Sequence, residues 1–300
     1  MKYKGILRQQ SANNFKTMLL LVMFPALLLG LTWVVCFYLQ EDAWVWAPVV
    51  FGATILWFLI AYSFHSLMIS FATKSKPLER MENKRVYNLV ENLCMANGIQ
   101  MPKVNVIEDS SLNAFASGIN NKSYTVTLSR GIIERLTDAE LEGVIAHELT
   151  HIRNRDVRLL IVSIIFVGIF TFVAQVAMRA LWYTPRRSSS SKNGGGGAVV
   201  LLVVAIAAAI GYFFSLLLRF AISRKREFMA DAGGAQMTKN PLALAMALRK
   251  ISTDPKIESV TRKDVAQLFI EHPLTKKGGF STLFATHPPI QKRIALLEQF

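Results

Sequence analysis

Cysteine is nearly absent from this chain, which has only Cys36 and Cys94 among its 300 residues. Cys36 lies within a long apolar run and Cys94 within a polar segment, so a disulfide framework is excluded and a reducing compartment fits. Acidic residues are also scarce, because 20 Asp and Glu stand against 34 Lys and Arg and leave a net charge of +14 at pH 7. This basic excess needs an explanation from its distribution along the chain.

Hydrophobic residues, by contrast, make up 52% of the chain, and they are concentrated in four blocks that contain no charge in their apolar centres. A run of about 20 apolar residues is long enough to cross a bilayer as a helix. Residues 17–39, 43–73, 159–178 and 198–218 therefore predict four transmembrane helices. The first run is too long for a signal peptide and no small-residue cleavage site follows it, so we interpret it as a retained anchor.

The basic residues follow a membrane topology. Four precede the first run, twelve lie between residues 72 and 158, and fourteen follow residue 218. By the positive-inside rule, both termini and the central segment are cytoplasmic. The Ser- and Gly-rich connector within residues 179–197 also carries four basic residues, so the last two runs form either two crossings or a hairpin that does not cross fully. The basic residues lack an aromatic-lined patch, which argues against a nucleic-acid partner.

Residues 147–151 read His-Glu-Leu-Thr-His, the most informative stretch of the chain. On a helix, His147 and His151 lie about 40° apart around the axis, so their ring nitrogens can hold one zinc ion. Glu148 lies beside them and can reach a water molecule without becoming a ligand. This division of labour is typical of a metallopeptidase. The alternative is a surface helix that happens to carry two histidines.

A helix is well signalled at this position. Thr137 and Glu140 have the spacing of a capping box, and apolar residues then recur at helical spacing through the motif. Upstream, residues 78–96 predict a helix that ends at Asn97-Gly98. Between these helices, residues 103–107, 114–119 and 124–129 are rich in strand-forming side chains and predict a small sheet beside the histidine motif.

Glu227 is a candidate for the third zinc ligand. It follows the fourth run by about as many residues as the histidine motif precedes the third, so two continuous helices would carry both sites about 15 Å from the membrane boundary. Three protein ligands leave one zinc position for water, as a catalytic site requires. Asp231, one turn further on, can accept the second ring N–H of a zinc-binding histidine. Alternatively, both are ordinary charges on a solvated basic helix.

The chain resembles the HtpX heat-shock proteases, within the Ste24-like membrane zinc metallopeptidases that include the CAAX prenyl proteases. The likeness covers almost the whole chain and predicts a gluzincin-like catalytic domain. Four motifs in the right order carry it: Asn113-Ala114-Phe115-Ala116, the His-Glu-Leu-Thr-His run with Arg153-Asn154-Arg155-Asp156 behind it, residues 223–231, and Thr286-His287-Pro288-Pro289 with Arg293.

The resemblance implies that His147, His151 and Glu227 bind one zinc ion and that Glu148 is the general base. It also implies two roles that no residue pattern showed. The segment from Asn113 through Ala116 resembles the edge strand on which such enzymes pair an extended peptide, a form of β-augmentation. His287 and Arg293 resemble the family's donors to the developing oxyanion or the helix that frames it, and Arg293 has a purely structural role as its alternative.

We therefore expect a mainly α integral membrane protein of the bacterial inner membrane, with four transmembrane helices and a cytoplasmic α+β metalloprotease domain that carries a small β-sheet. We expect residues 1–73 to form the N-terminal tail and the first two spans, and residues 159–218 to form the last two spans. Residues 74–158 and 219–300 together are expected to form the catalytic domain. The expected activity is zinc-dependent cleavage of damaged or misfolded membrane proteins. The alternatives are a prenyl-protein peptidase and a non-catalytic adaptor with a structural metal site. The oligomeric state is left open.

Overall fold

The computed structural model describes residues 6–166, 225–254 and 288–300, with single positions at 175, 179, 204, 205, 209 and 269. The chain begins with two long helices, α1 (Ile6–Leu39) and α2 (Ala43–Thr73), which are long and apolar enough to cross a membrane. In their most apolar windows only 17% and 6% of the residues are buried, so these helices are not the core of a soluble domain. The predicted third and fourth spans lie mostly outside the described residues.

The chain divides into two compact units. One contains residues 1–15, 64–161 and 220–300, and the other contains residues 16–63 and 162–219. The second unit has an apolar cluster in which Phe24 of α1 stacks on Phe166 with ring centroids 4.3 Å apart. The first unit holds the sheet and the histidine motif, so both the central and the C-terminal polar segments belong to it.

A four-stranded mixed sheet forms one layer of the first unit. Its order is β1-β2-β4-β3, with β2 and β4 parallel and the outer pairs antiparallel. The three predicted strands are present: β2 has the predicted bounds, β3 ends two residues earlier and β4 begins one residue later than predicted. The two-residue β1 was not predicted. The strands are β1 (Lys76–Pro77), β2 (Lys103–Ile107), β3 (Ala114–Ser117) and β4 (Thr125–Ser129).

Helix α3 (Lys84–Asn97) begins later than the predicted residue 78, so that predicted start was wrong. The Asn83 side chain accepts a hydrogen bond from the Val86 N–H and caps the helix there. Leu78, which the pattern placed in the helix, instead donates its N–H to the Val104 carbonyl and is buried beside the sheet. The predicted end is correct, because Gly98 adopts the left-handed conformation with φ of 61°.

After the short α4 (Arg130–Arg135), helix α5 (Asp138–Arg153) carries the histidine motif, and the predicted capping box of Thr137 and Glu140 is present with both hydrogen bonds. This helix does not run on into the next apolar segment. Asn154 caps it, and Arg155 adopts a positive φ of 59° before helical structure resumes over residues 156–166. The expectation of one continuous helix from the motif into the third span was therefore wrong.

The C-terminal segment contributes α6 (Lys225–Thr238), α7 (Pro241–Ile251) and α8 (Ile290–Leu297). Helices α5 and α6 approach closely because α6 presents two glycines to α5. A Cβ added to Gly233 would lie 2.4 Å from Thr150 Cγ2, and one added to Gly234 would lie 3.1 Å from the backbone nitrogen of His147. A methyl group at Gly233 would clash with the Thr150 side chain, and one at Gly234 would be tightly packed against the backbone of α5, so the two glycines allow a close approach of the helices beside the histidines.

Candidate metal centre and active site

Three side chains from two helices converge at the α5–α6 crossing. His147 and His151 of α5 have their Nε2 atoms 3.2 Å apart. Glu227 of α6 places Oε1 3.6 Å from His151 Nε2 and Oε2 3.7 Å from His147 Nε2. One potential ligand atom from each residue therefore lies within 4.8 Å of the other two. The sequence predicted this grouping, although its argument from two continuous helices does not hold for α5.

The geometry of this group fits a metal ion. In a tetrahedral zinc site with bonds of about 2.0 to 2.1 Å, neighbouring ligand atoms are separated by about 3.3 Å. The separations between His147, His151 and Glu227 are close to that value. Each histidine also directs its Nδ1 at a carboxylate, so in the neutral ring Nδ1 carries the proton and Nε2 carries a lone pair. Two facing lone pairs and a carboxylate are a donor set for a cation.

The partner of His147 is Asp231, which the sequence had suggested as a partner of one of the two histidines without indicating which. His147 Nδ1 lies 3.0 Å from Asp231 Oδ1, and both residues are buried. Burial lowers the pKa of His147, and the hydrogen bond with Asp231 opposes that effect. Burial alone would raise the pKa of Asp231, but the positive charge of Arg293 outweighs it and lowers that pKa. The carboxylate therefore stays ionised and keeps the ring in one orientation.

Arg293 of α8 provides the positive charge that pairs with the carboxylates of Asp231 and Glu227. Its Nε and Nη2 donate to the two Asp231 oxygens at 2.8 and 2.7 Å, and its Nη1 lies 3.4 Å from Glu227 Oε2. Only 1% of Arg293 is exposed, and its Nη2 also lies 3.4 Å from His147 Nε2. Helix α8 thus reaches the site through one side chain that contacts both carboxylates of α6. The role implied by resemblance, as a donor to an oxyanion, stays a prediction.

The partner of His151 is Asp156, to which the sequence reasoning gave no role. His151 Nδ1 lies 3.1 Å from Asp156 Oδ2. Burial opposes a charged His151, but the hydrogen bond with Asp156 and the charge of Glu227 prevail and raise its pKa. Asp156 is itself contacted by Asn13 and Arg226. The only local signal for this partner was an aspartate five residues after the second histidine, and nothing in the sequence linked Asn13 to it.

Glu148 lies between the histidines and the sheet. Only 2% of the residue is exposed, and burial raises the pKa of its carboxyl to about 7. The backbone N–H of Ala116 in β3 donates to this carboxylate. A carboxyl with a pKa near neutrality can both take and return a proton at physiological pH.

Strand β3 occupies one end of the sheet, and its four residues are buried. Asn113 precedes it, and its side-chain oxygen accepts the N–H of Ala114. Phe115 packs edge-on against Phe269 with ring centroids 4.7 Å apart. The predicted substrate strand is therefore at a sheet end and beside Glu148, but it is covered rather than open. His287 lies outside the described residues.

Two histidines and a glutamate on one helix, a second glutamate on a neighbouring helix and a carboxylate behind each histidine define a metallopeptidase site. Comparison with known proteins identifies the family. Residues 80–300 match Peptidase family M48. The chain belongs to this family and is a metalloprotease.

Its relatives include a Protease HtpX homolog of Bacteroides fragilis, 57% identical over 322 residues, with all of both chains covered. Another Protease HtpX homolog, from Dictyoglomus thermophilum, is 37% identical over 289 residues, covering 95% of this chain and 92% of the relative. The crystal structure of S. mikatae Ste24p aligns with a TM-score of 0.49 and 17% identity, over 96% of this chain and 66% of that one.

Proposed function

We propose that this protein is a zinc-dependent endopeptidase of the bacterial inner membrane that hydrolyses damaged or misfolded membrane proteins at the cytoplasmic face. The observation that carries the proposal is the convergence of His147, His151 and Glu227 with buried Glu148 beside them. Two imidazoles and one carboxylate would provide three protein ligands to a zinc ion, and a set of three ligands is typical of a catalytic site whereas structural sites have four.

A bound zinc ion supplies Lewis acidity to a scissile carbonyl and makes an attacking water more acidic. Glu148 takes the proton of that water as general base and passes it to the leaving amine. Its pKa of about 7 suits both halves of this transfer. Asp231 and Asp156 hold the two histidines in the tautomer whose Nε2 atoms are free for the metal.

In this proposal the substrate is an extended peptide that pairs with β3 along Asn113, Ala114, Phe115 and Ala116. The contact that supports this placement is the hydrogen bond from the Ala116 N–H to Glu148, because it brings the strand next to the proposed base. The residues of β3 are buried, so the groups that cover its outer edge must move before a peptide pairs there. His287 and Arg293 are proposed to stabilise negative charge on the reacting carbonyl.

Two apolar helices support a membrane location, and the distribution of Lys and Arg supports a cytoplasmic site. A peptidase that is itself anchored in the membrane is proposed to act on the cytoplasmic loops and tails of other membrane proteins. A prenylated peptide tested beside an unfolded membrane protein distinguishes this substrate class from that of a prenyl-protein peptidase. Preferential cleavage of the prenylated peptide would contradict our assignment.

The central test replaces Glu148 with Gln. We expect the Glu148→Gln protein to keep its zinc and to lose about 10² to 10⁴ in turnover of an unfolded membrane protein, the range for a general base. Glu142→Gln is the matched control, because it makes the same change on the same helix away from the site. Equal cleavage by wild type and Glu148→Gln at matched zinc content would rule out the assigned base.

Metal analysis tests the ligands. Purified wild type is expected to hold one zinc ion per chain, and His147→Ala and Glu227→Ala are expected to hold little. Cobalt and manganese also suit a site of this composition, so the analysis covers all three metals. A fully protein-coordinated metal with no water ligand, seen by X-ray absorption spectroscopy, would favour the adaptor function instead.

A further inference from the structure

The first turns of α1, before its long apolar stretch, contact the segment that ends the histidine helix. Gln10 Nε2 donates to the Arg153 carbonyl at 2.7 Å. Asn13 Nδ2 donates to the Asn154 carbonyl at 2.9 Å and to Asp156 Oδ1 at 2.6 Å. Asn13 is only 1% exposed, so its amide is committed to these contacts. Residues more than 140 positions apart along the chain thus meet behind the metal site.

Asp156 passes this contact on to the metal site. Its Oδ1 accepts from Asn13, and its Oδ2 lies 3.1 Å from His151 Nδ1. A carboxylate with a different partner on each oxygen cannot rotate without breaking one of the two contacts. Arg226 adds positive charge, with Nη1 3.5 Å from Oδ1 and 3.2 Å from the Asp156 carbonyl. Asn13 therefore helps to orient the Asp156 carboxylate, and Arg226 helps to neutralise its charge.

An asparagine suits this position chemically. Its amide provides two N–H donors and carries no charge, so Asn13 can hold both the end of α5 and Asp156 without competing with Arg226. A leucine has nearly the same shape but no donor. Among the described residues, replacing Asn13 with Leu would leave the buried Oδ1 of Asp156 with only the longer contact to Arg226, and the carboxylate would be free to turn away from His151.

We propose that Asn13 is a positioning residue of the metal site, which acts through Asp156 to hold His151 with its Nε2 directed at the metal. The start of the first apolar helix is then part of the peptidase site as well as the beginning of a membrane anchor. This inference rests on the proposed function, because it concerns the same metal. It predicts that metal affinity depends on a residue that is far from the family's histidine motif in sequence.

The experiment compares full-length Asn13→Leu with a matched control, Gln10→Leu. Both variants remove one side-chain amide from the same face of α1, but only Asn13 contacts Asp156. Zinc affinity is measured by competition with a chelator, and thermal unfolding is followed with and without chelator. Loss of an outer contact of a metal ligand costs about 10- to 100-fold in affinity. We expect about tenfold for Asn13→Leu and less than about twofold for Gln10→Leu.

A double-mutant cycle with Asp156→Asn identifies the route. If Asn13 acts through Asp156, the loss from Asn13→Leu largely disappears in the Asp156→Asn background. Additive losses would overturn the route. Lower stability of the chelator-treated protein with unchanged zinc affinity would overturn the positioning role, because it would show a purely structural one. If Asn13→Leu does not fold, Asn13→Ala, which also removes the amide donors but adds no branched side chain, makes the same comparison. A wild type that binds no metal would refute the proposed function instead.

Discussion

His147 and His151 are four residues apart on one helix, yet opposite ends of the chain support them. Behind His147 stand Asp231 and the guanidinium of Arg293 from the C-terminal helix α8. Behind His151 stand Asp156 and the neutral amide of Asn13 from the N-terminal helix α1. Each histidine thus has an aspartate beside its Nδ1, and the residues that hold the two aspartates come from different segments of the chain.

The two supports differ in how they balance charge. Asp231 is held by a two-pronged ion pair with a guanidinium that is 1% exposed. Asp156 has a short neutral contact with Asn13 and a longer charged one with Arg226. Removing a buried charge that pairs with other charges costs more than removing a neutral donor, because it leaves uncompensated ions inside the protein. We therefore expect the His147 side to contribute more to the stability of the site.

The strongest test of this difference is Arg293→Leu. The change leaves Asp231 and Glu227 buried beside each other without their counter-charge, so we expect unfolding free energy to fall by about 3 to 5 kcal/mol. Chemical denaturation in detergent micelles measures it. The control is Arg249→Leu, which removes an exposed arginine paired with Glu298 at the end of α8 and should cost no more than about 1 kcal/mol. Similar losses in the two variants would contradict the comparison.

The second test compares the two aspartates directly. Asp231→Asn and Asp156→Asn each keep the shape of the side chain and remove its charge. Each is expected to lower zinc affinity by about 10- to 100-fold, with the larger loss for Asp231→Asn because the buried charge of Arg293 then lacks its main partner. Chelator competition measures both. The reverse order would show that the His151 side is the more demanding one.

The third test concerns the helix crossing that brings Glu227 to both histidines. In Gly233→Ala the new methyl group would lie 2.4 Å from Thr150 Cγ2 and 2.8 Å from Thr150 Oγ1, so either the Thr150 side chain or α6 must shift. Overpacking of this kind costs about 1 to 3 kcal/mol. Adding Thr150→Ala removes both atoms and is expected to recover most of the stability and of the zinc affinity. No recovery would mean that Thr150 is not the limiting contact.

The smallest effect is expected at the start of α5, away from both supports. Glu140 completes the capping box with Thr137 and forms an ion pair with Lys250. Burial alone would raise the pKa of Glu140, but these contacts outweigh it and lower that pKa. A lowered pKa means that the charged form stabilises the fold at neutral pH and that this contribution is lost as pH falls. Glu140→Gln is expected to cost about 1 kcal/mol at pH 7.

The difference in unfolding free energy between wild type and Glu140→Gln is expected to be largest above the ordinary glutamate pKa of 4.5 and to decrease as pH falls below that value. Unfolding curves between pH 7 and pH 3 measure the gap. Glu142 provides an opposite control, since burial and the nearby Asp138 raise its pKa. Glu142→Gln is therefore expected to leave stability unchanged or slightly higher at pH 7. If wild type and Glu140→Gln differed as much in unfolding free energy at pH 3 as at pH 7, the assigned role of the Glu140 charge would be contradicted.

Local features of the fold were predictable because their causes lie within a few residues. The capping box at Thr137, the helical spacing of the histidine motif and the left-handed stop at Gly98 each depend on nearby groups alone. The start of α3 was missed because two signals competed. Leu78 fits the helical apolar pattern, but its N–H pairs with the Val104 carbonyl of β2, a partner that no local pattern reveals.

The site was predictable in part for the same reason. Its two histidines and Glu148 share one helix, so helical geometry places them together. Glu227 and Asp231 were predicted from their spacing to apolar runs, although Arg155 interrupts the helix on which that reasoning depended. Asp156 and Asn13 were missed, since their contact depends on two chain segments that meet only in the folded unit.

The sequence by itself determined that one helix presents His147, Glu148 and His151 on a common face, because a helix repeats every 3.6 residues whatever surrounds it. It also determined the apolar helices α1 and α2, whose length and composition need no tertiary partner. Only the tertiary structure decided how closely Glu227 approaches both rings and which carboxylate lies behind His151. These arrangements depend on how closely helices pack, at Gly233 and Gly234 above all, and packing brings together residues that the chain itself keeps far apart.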